Sequence, residues 1–265
     1  MREPQPRSQP LDQADGLRRL FGSQRKRYVA LAHNPHVAFG GVVIERLTAA
    51  FAQRGLHTLV VDAADTAVAP HELARVDLAA CVDAISPQVS FLAARGLPMR
   101  HVDTRGSASA FLDAVAAAVP RADVVLLHAN ASDLTRLFHG RTVRPVLMAG
   151  RKTESLTEAY AGMKLLTQRL GVIACDLLVA ADAGWPHAAM LAERLASCAD
   201  RFLGTSLHDW ASLDPAEALA PPSAALSRLA LGQLAAEIEP STQAAAGWEP
   251  PHTSLPRRSA ERRAP

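Results

Sequence analysis

The chain has 265 residues, with 28 Lys plus Arg against 26 Asp plus Glu, enough for one large domain or two small ones with a substantial core. The near balance of charge excludes a general electrostatic footprint for nucleic acid or anionic membrane and leaves only local contacts. No run approaches the roughly 20 apolar residues of a spanning helix, and the opening MREPQPRSQP has no apolar core for export, so a cytoplasmic location is expected.

In chain order, residues 1–10 are rich in Pro and charge, and composition predicts no packed structure there. Residues 11–21, LDQADGLRRLF, read as a short helix. Asp12 can cap it, Asp15 suits the first turn, and Ala14, Leu17, Leu20 and Phe21 make one apolar stripe. Gly16 costs such a helix about 1 kcal/mol relative to Ala. It is marginal alone, so it either docks on its own domain or is ordered by a partner.

From residue 28 onward, short apolar strand candidates alternate with amphipathic helix-length segments. The strands are expected at 28–32, 58–62, 99–103, 124–128, 145–149, 176–180 and 202–206. Val43, Leu47, Ala50 and Phe51 recur at helical spacing, as do Ala159, Met163, Leu166 and Leu170. This predicts one α/β domain over residues 28–238, a mostly parallel twisted sheet with helices on both faces, flanked by tails at 1–27 and 239–265. Cys81, Cys175 and Cys198 are odd in number, far apart and without a CxxC pair, which suits reduced, buried thiols. Ligands of such sheets bind at the carboxyl ends of strands, so the loops at 33–41, 62–70 and 128–133 are expected to share one rim.

The first of those loops reads Asn34-Pro35-His36-Val37-Ala38-Phe39-Gly40-Gly41. A phosphate loop needs a curl of N–H groups, glycines at positive φ or close approach, and a Lys for the outer phosphates. Pro35 removes one N–H, Phe39 is expected to put a ring in the cradle, and no Lys is present. A helix start alone gives an anion about 0.3–1 kcal/mol, against the roughly −8 kcal/mol of micromolar affinity. The better reading is a strand-to-helix turn. His33, His36 and His128 with Asp62 could form a metal set, but His-x-x-His in a loop is a weak signal and ordinary rim histidines are the expectation. No hydrolase signature accompanies them.

Two motifs resemble the FlhG (FleN) branch of the MinD/ParA ATPases, regulators of flagellar number and placement. Asp12-Gln13-Ala14-Asp15-Gly16-Leu17-Arg18 resembles the DQAxxLR element with which FlhG proteins engage and stimulate FlhF, a signal-recognition-type GTPase. Glu154-Ser155-Leu156-Thr157-Glu158-Ala159-Tyr160 resembles the T-S-I-T-D-A-Y stretch after the fifth strand. The resemblance spans roughly residues 11–215. It implies a P-loop-type fold, and a partner surface made by Asp12, Gln13, Ala14, Leu17, Arg18, Leu20 and Phe21.

Departures from that pattern fall on the nucleotide site. The family's KGGVGKT loop aligns with residues 35–41, its second D-A-D acid with Ala64, its Walker B acid with His128, and its base-reading Asn near Ala180. Pro35, Phe39, Gly40, Gly41, Asp62 and His128 are thus expected to form a degenerate site with no catalytic residue, no metal and no cofactor. The implied function is a pseudo-ATPase regulator acting through an FlhF-like GTPase, with basal-body or transcription-regulator proteins as further candidate partners and no nucleic acid. The alternatives are a divergent, working ATPase using ATP and magnesium, or a metal-dependent enzyme built on the rim histidines. Family members also carry a C-terminal amphipathic membrane helix. Here Leu226, Leu229, Leu234 and Ile238 form a narrow stripe beside Arg228 and Glu237, so packing on the domain edge is expected and membrane contact is weak at most, peripheral at a cell pole or inner membrane.

Overall fold

The computed structural model describes residues 26–182, 185–217 and 221–236. The expected helix at 11–21 and the tail at 239–265 lie outside the described residues. Strands β1 (Arg27–Ala32), β2 (Thr58–Asp62), β3 (Asp83–Ser86), β4 (Val89–Ala93), β5 (Val124–Ala129), β6 (Val146–Gly150), β7 (Ala174–Ala180) and β8 (Ser206–Leu213) form one sheet in the order β3-β4-β2-β5-β1-β6-β7-β8. All neighbours pair in parallel except β3 with β4. The helices are α1 (Gly40–Ala52), α2 (Ser109–Ala118), α3 (Ala131–Leu137), α4 (Thr153–Leu170), α5 (Ala188–Leu203) and α6 (Ala224–Ala235).

The central strands are mostly apolar because helices cover both faces. Every residue of β5, VVLLHA, is buried. On one face, Leu127, Leu147 and Leu177 of the sheet meet Phe111 of α2, Leu134 of α3, Met163 of α4 and Leu195 of α5. On the other, Leu31, Leu126 and Met148 meet Leu47 and Phe51 of α1 and Leu229 of α6. Helices α4 and α5 each end on a glycine in the left-handed region, Gly171 at φ 67° and Gly204 at φ 63°, where an L side chain is strained.

Two expected strands are corrected. Residues 99–103 are not a strand. Pro98 opens a single 3-10 turn, Pro98–His101, since its fixed φ suits a helical first position. Residues 202–206 are the end of α5, its Gly204 cap and only the first residue of β8. Phe202 and Leu203 continue the helical period of Leu195 and Ala199, which a five-residue apolar window cannot separate from a strand. Strands β3 and β4 had no counterpart in the sequence reading. All four residues of β3 are exposed and carry no alternation signal.

The C-terminal helix α6 is latched to the sheet. Ser223 caps it by accepting from the Leu226 N–H, and Leu226, Leu229, Ala230 and Gln233 are buried. Beneath it Asp176 of β7 is fully buried, accepting from Arg144 Nε at 3.1 Å and Gln233 Nε2 at 2.7 Å, and facing His208 Nδ1 at 3.2 Å. On the surface Arg228 makes a two-pronged pair with Asp209 at 2.9 and 2.8 Å. Leu226 and Leu229 of the apolar stripe are therefore spent on the domain, with Leu234 packed beside them, and Ile238 lies outside the described residues.

Candidate functional site at the strand-end rim

Strands β1, β2 and β5 end side by side, with Leu31 and Asp62 both in register with His128. This brings together the loops at 33–41, 62–70 and 128–133 and places His33, Asp62, Thr66 and His128 within hydrogen-bonding reach. Asp62 Oδ1 lies 2.8 Å from His128 Nδ1, His128 Nε2 lies 3.2 Å from His33 Nδ1, and His33 Nε2 lies 3.4 Å from Thr66 Oγ1. With both rings neutral, one tautomer set satisfies the chain. Asp62 accepts from His128 Nδ1–H, His128 Nε2 accepts from His33 Nδ1–H, and His33 Nε2 accepts from the Thr66 hydroxyl. His33 borders a cavity of about 360 Å³ also lined by Asp65, Asn130 and Glu158, in which Asn130 Nδ2 donates to Asp65. Burial, followed by the neighbouring His128, holds the His33 pKa below its ordinary value of 6.5.

The opening loop is fastened by Asn34, a residue the sequence reading gave no role. Its buried side chain donates to the carbonyls of Met148 and Ser155, both at 2.8 Å, and accepts from the His36 N–H at 3.0 Å. Ser155, in the stretch that resembles T-S-I-T-D-A-Y, donates to the Gly150 carbonyl and accepts from its N–H. An Asn preceding Pro is a turn signal, but nothing in the sequence shows that its amide reaches β6 and α4.

The N–H groups of His36, Val37, Val42 and Val43 are satisfied within the loop by Asn34 and Phe39. Gly40 and Gly41 have no positive φ, and a Cβ on either would meet nothing within 4 Å. The left-handed residue is Phe39, at φ 60° and ψ 38°. Its ring does not fill the cradle as expected. It is 71% exposed and lines a separate cavity with His36, Gly150 and Lys152. His36 thus stands apart from His33 and His128. Among the described residues no group of three or more His, Cys, Asp or Glu is placed to share a metal ion.

No protein-family model and no curated protein matches the chain. Solved structures do. The MinD cell division protein of Aquifex aeolicus has a TM-score of 0.53 at 11% identity, over 80% of this chain and 98% of that one. The fold is that of the MinD/ParA proteins. The MinC:MinD complex of the same organism scores 0.54 at 12% identity, over 80% and 97%. The septum site-determining protein MinD of Pyrococcus horikoshii, solved with Mg-ADP, scores 0.48 at 14% identity, over 77% and 94%.

That last complex corrects the expectation of no cofactor: a magnesium nucleotide is the cofactor class carried by a solved protein of the MinD kind. On this MinD/ParA rim, residues 33–41 contain no Lys, and the one acid aligned with the family's acids, Asp62, already accepts from His128 and from the Ala64 N–H. Asp65 and Glu158 line the cavity on one side of the loop, and Lys152 and Asp182 the cavity on the other.

The thiols also differ from expectation. Cys175 is buried and its pKa is pushed up to about 12 by desolvation, whereas Cys198 is exposed and Cys81 half-buried.

Proposed function

We propose that the chain is a regulator of the FlhG kind, controlling flagellar number and placement through an FlhF-like GTPase rather than through ATP turnover. The observation that carries this reading is the Asp12-Gln13-Ala14-Asp15-Gly16-Leu17-Arg18 element standing directly before β1 of a MinD/ParA fold. The MinC:MinD complex supports action through a protein partner, since a protein of this fold is solved in such an assembly. The His128 imidazole supports the loss of turnover: it stands where the resemblance puts the Walker B acid and occupies Asp62. The reading concerns turnover, not nucleotide occupancy.

In this proposal residues 1–27 present the partner-binding element, residues 28–238 form the α/β domain, and residues 239–265 are a tail. Asp12 caps the helix, Leu17 and Leu20 anchor on the partner within an apolar stripe that includes Ala14 and Phe21, and Gln13 and Arg18 reach polar groups. The protein works in the cytoplasm, with peripheral contact at a cell pole or inner membrane, and basal-body or transcription-regulator proteins are further candidate partners. Gln13→Ala should leave binding to an FlhF-like GTPase nearly intact and reduce its stimulation, while Leu17→Asp should abolish both. A Leu side chain fully buried at an interface contributes about 1.5–3 kcal/mol. GTP hydrolysis and pull-down assays read the two effects separately, and unchanged stimulation by Leu17→Asp defeats the proposal.

A second reading, ATP hydrolysis on this rim, has in its favour the His33 imidazole, which lines the cavity beside Asp65 and Glu158. Phosphate release from Mg-ATP that disappears in His33→Ala would establish it; the proposal expects no release above buffer.

A further inference from the structure

A second cavity, of about 420 Å³, lies where α3, α4 and the loop before α2 meet. It adjoins the rim cavity through Ser132 and Leu165, which line both. Its charged and polar lining is Arg105, Arg136, Arg169, His139, Ser132 and Thr135, with no carboxylate.

The chain as a whole is close to neutral, so three guanidinium groups around one cavity reflect placement rather than composition. Their counter-charges are weak or elsewhere. Arg136 has a 3.5 Å contact with Asp133, one turn earlier on α3, and donates to the Met99 sulfur at 2.9 Å. Asp103, the acid beside Arg105, lies outside the lining; its Oδ1 accepts from the N–H groups of Arg105 and Ser107 at 2.8 and 2.9 Å, and its pKa is held below the ordinary value first by the Ser107 N–H and more weakly by the charges of Arg105 and His139. Among the described residues, the guanidinium groups of Arg105 and Arg169 have no hydrogen bond or ion pair. By contrast, Arg141, Arg144, Arg151 and Arg228 each pair with an Asp.

We propose that this cavity binds a small molecule carrying two adjacent phosphoryl groups. A guanidinium presents a planar fork of donors that matches phosphate oxygens two at a time. Three such forks and an imidazole exceed what one singly charged carboxylate can satisfy. Ser132 adds a hydroxyl donor, while Thr135 spends its proton on the Ser132 carbonyl. The volume lies in the range of about 300–1,000 Å³ typical of small-molecule pockets, which favours a compact ligand over an extended chain. The inference does not depend on the flagellar reading.

Calorimetric titration of the full chain at low ionic strength, without magnesium, tests it with three probes: inorganic pyrophosphate, ATP and inorganic phosphate. Pyrophosphate should bind, single phosphate should bind at least about tenfold more weakly, and added salt should weaken both. ATP tighter than pyrophosphate identifies a nucleotide as the source of the phosphoryl pair; equal affinity means that the pair alone is recognised. The Arg105→Gln/Arg169→Gln double variant, with an unchanged melting temperature, should lose at least about tenfold in affinity. If that variant folds poorly, Thr135→Glu, at a position that lines this cavity and not the rim cavity, sets a carboxylate there and must abolish binding. Absence of pyrophosphate binding at about 10 mM overturns the proposal. So does binding that the variants leave untouched, which would put the anion on the rim, or binding of an acidic peptide without pyrophosphate, which would make the cavity a protein contact.

Discussion

His33 sits between a buried imidazole and solvent, and its lowered pKa has a definite sign in stability. The folded state favours the neutral ring, so the unfolded chain binds more protons as pH falls below 6.5. The stabilising contribution is complete above 6.5 and is lost as pH drops through the lowered folded value. His33→Gln, which has no titration, should therefore flatten the fall in melting temperature between pH 7 and pH 5; an identical slope in both proteins refutes the assignment. Asn34 makes a different prediction. Asn34→Ala removes a buried amide and leaves two carbonyls and one N–H without their partner. The expected cost is about 1–3 kcal/mol, read by denaturant unfolding. His33 stands out in sequence as a residue type and Asn34 as a turn signal, but the His128 partner of the one and the Met148 and Ser155 partners of the other lie more than 90 positions away and cannot be read there.

Among the elements, α6 is held by two kinds of charge pair that differ in consequence. Asp176 is fully buried, and Arg144 Nη2 is buried without a hydrogen-bond partner. Asp176→Ala therefore strands a guanidinium in the interior, with an expected loss of about 3–5 kcal/mol. Arg228→Ala removes a pair in which Arg228 is 62% exposed, and its effect should be clearly smaller. Chemical denaturation of the two variants side by side checks the order. The helices and central strands were readable from sequence because their apolar residues repeat with a strong period. Strand β7, for example, is buried without a break from Cys175 to Val179. At the sheet margin the period fails: β3 is exposed throughout, and α5 runs into β8 through a single glycine-capped turn. The rim cluster was half legible. His33, Asp62 and His128 stood out as residue types, but their joining into one chain rests on strand order, which sequence does not print.

At the scale of the whole molecule, the sheet and the helices on its two faces supply both core clusters among the described residues. With residues 1–27 serving a partner, as proposed, removing residues 1–22 should leave the melting temperature almost unchanged while eliminating stimulation of an FlhF-like GTPase. Unfolding of the truncated protein would make the segment ordinary structure and end the functional proposal. The sheet order carries one more implication, for synthesis rather than for binding. Strand β1 leaves the ribosome first, yet its neighbours are β5 and β6, and its Arg27 pairs with Val124, roughly a hundred residues later. At about 5–20 residues per second of translation, β1 waits on the order of 5–20 s before either flank exists. During that interval an apolar strand meant for the centre of the sheet is a free edge, so nascent chains halted before Val124 should be bound by chaperones and released once β6 has emerged.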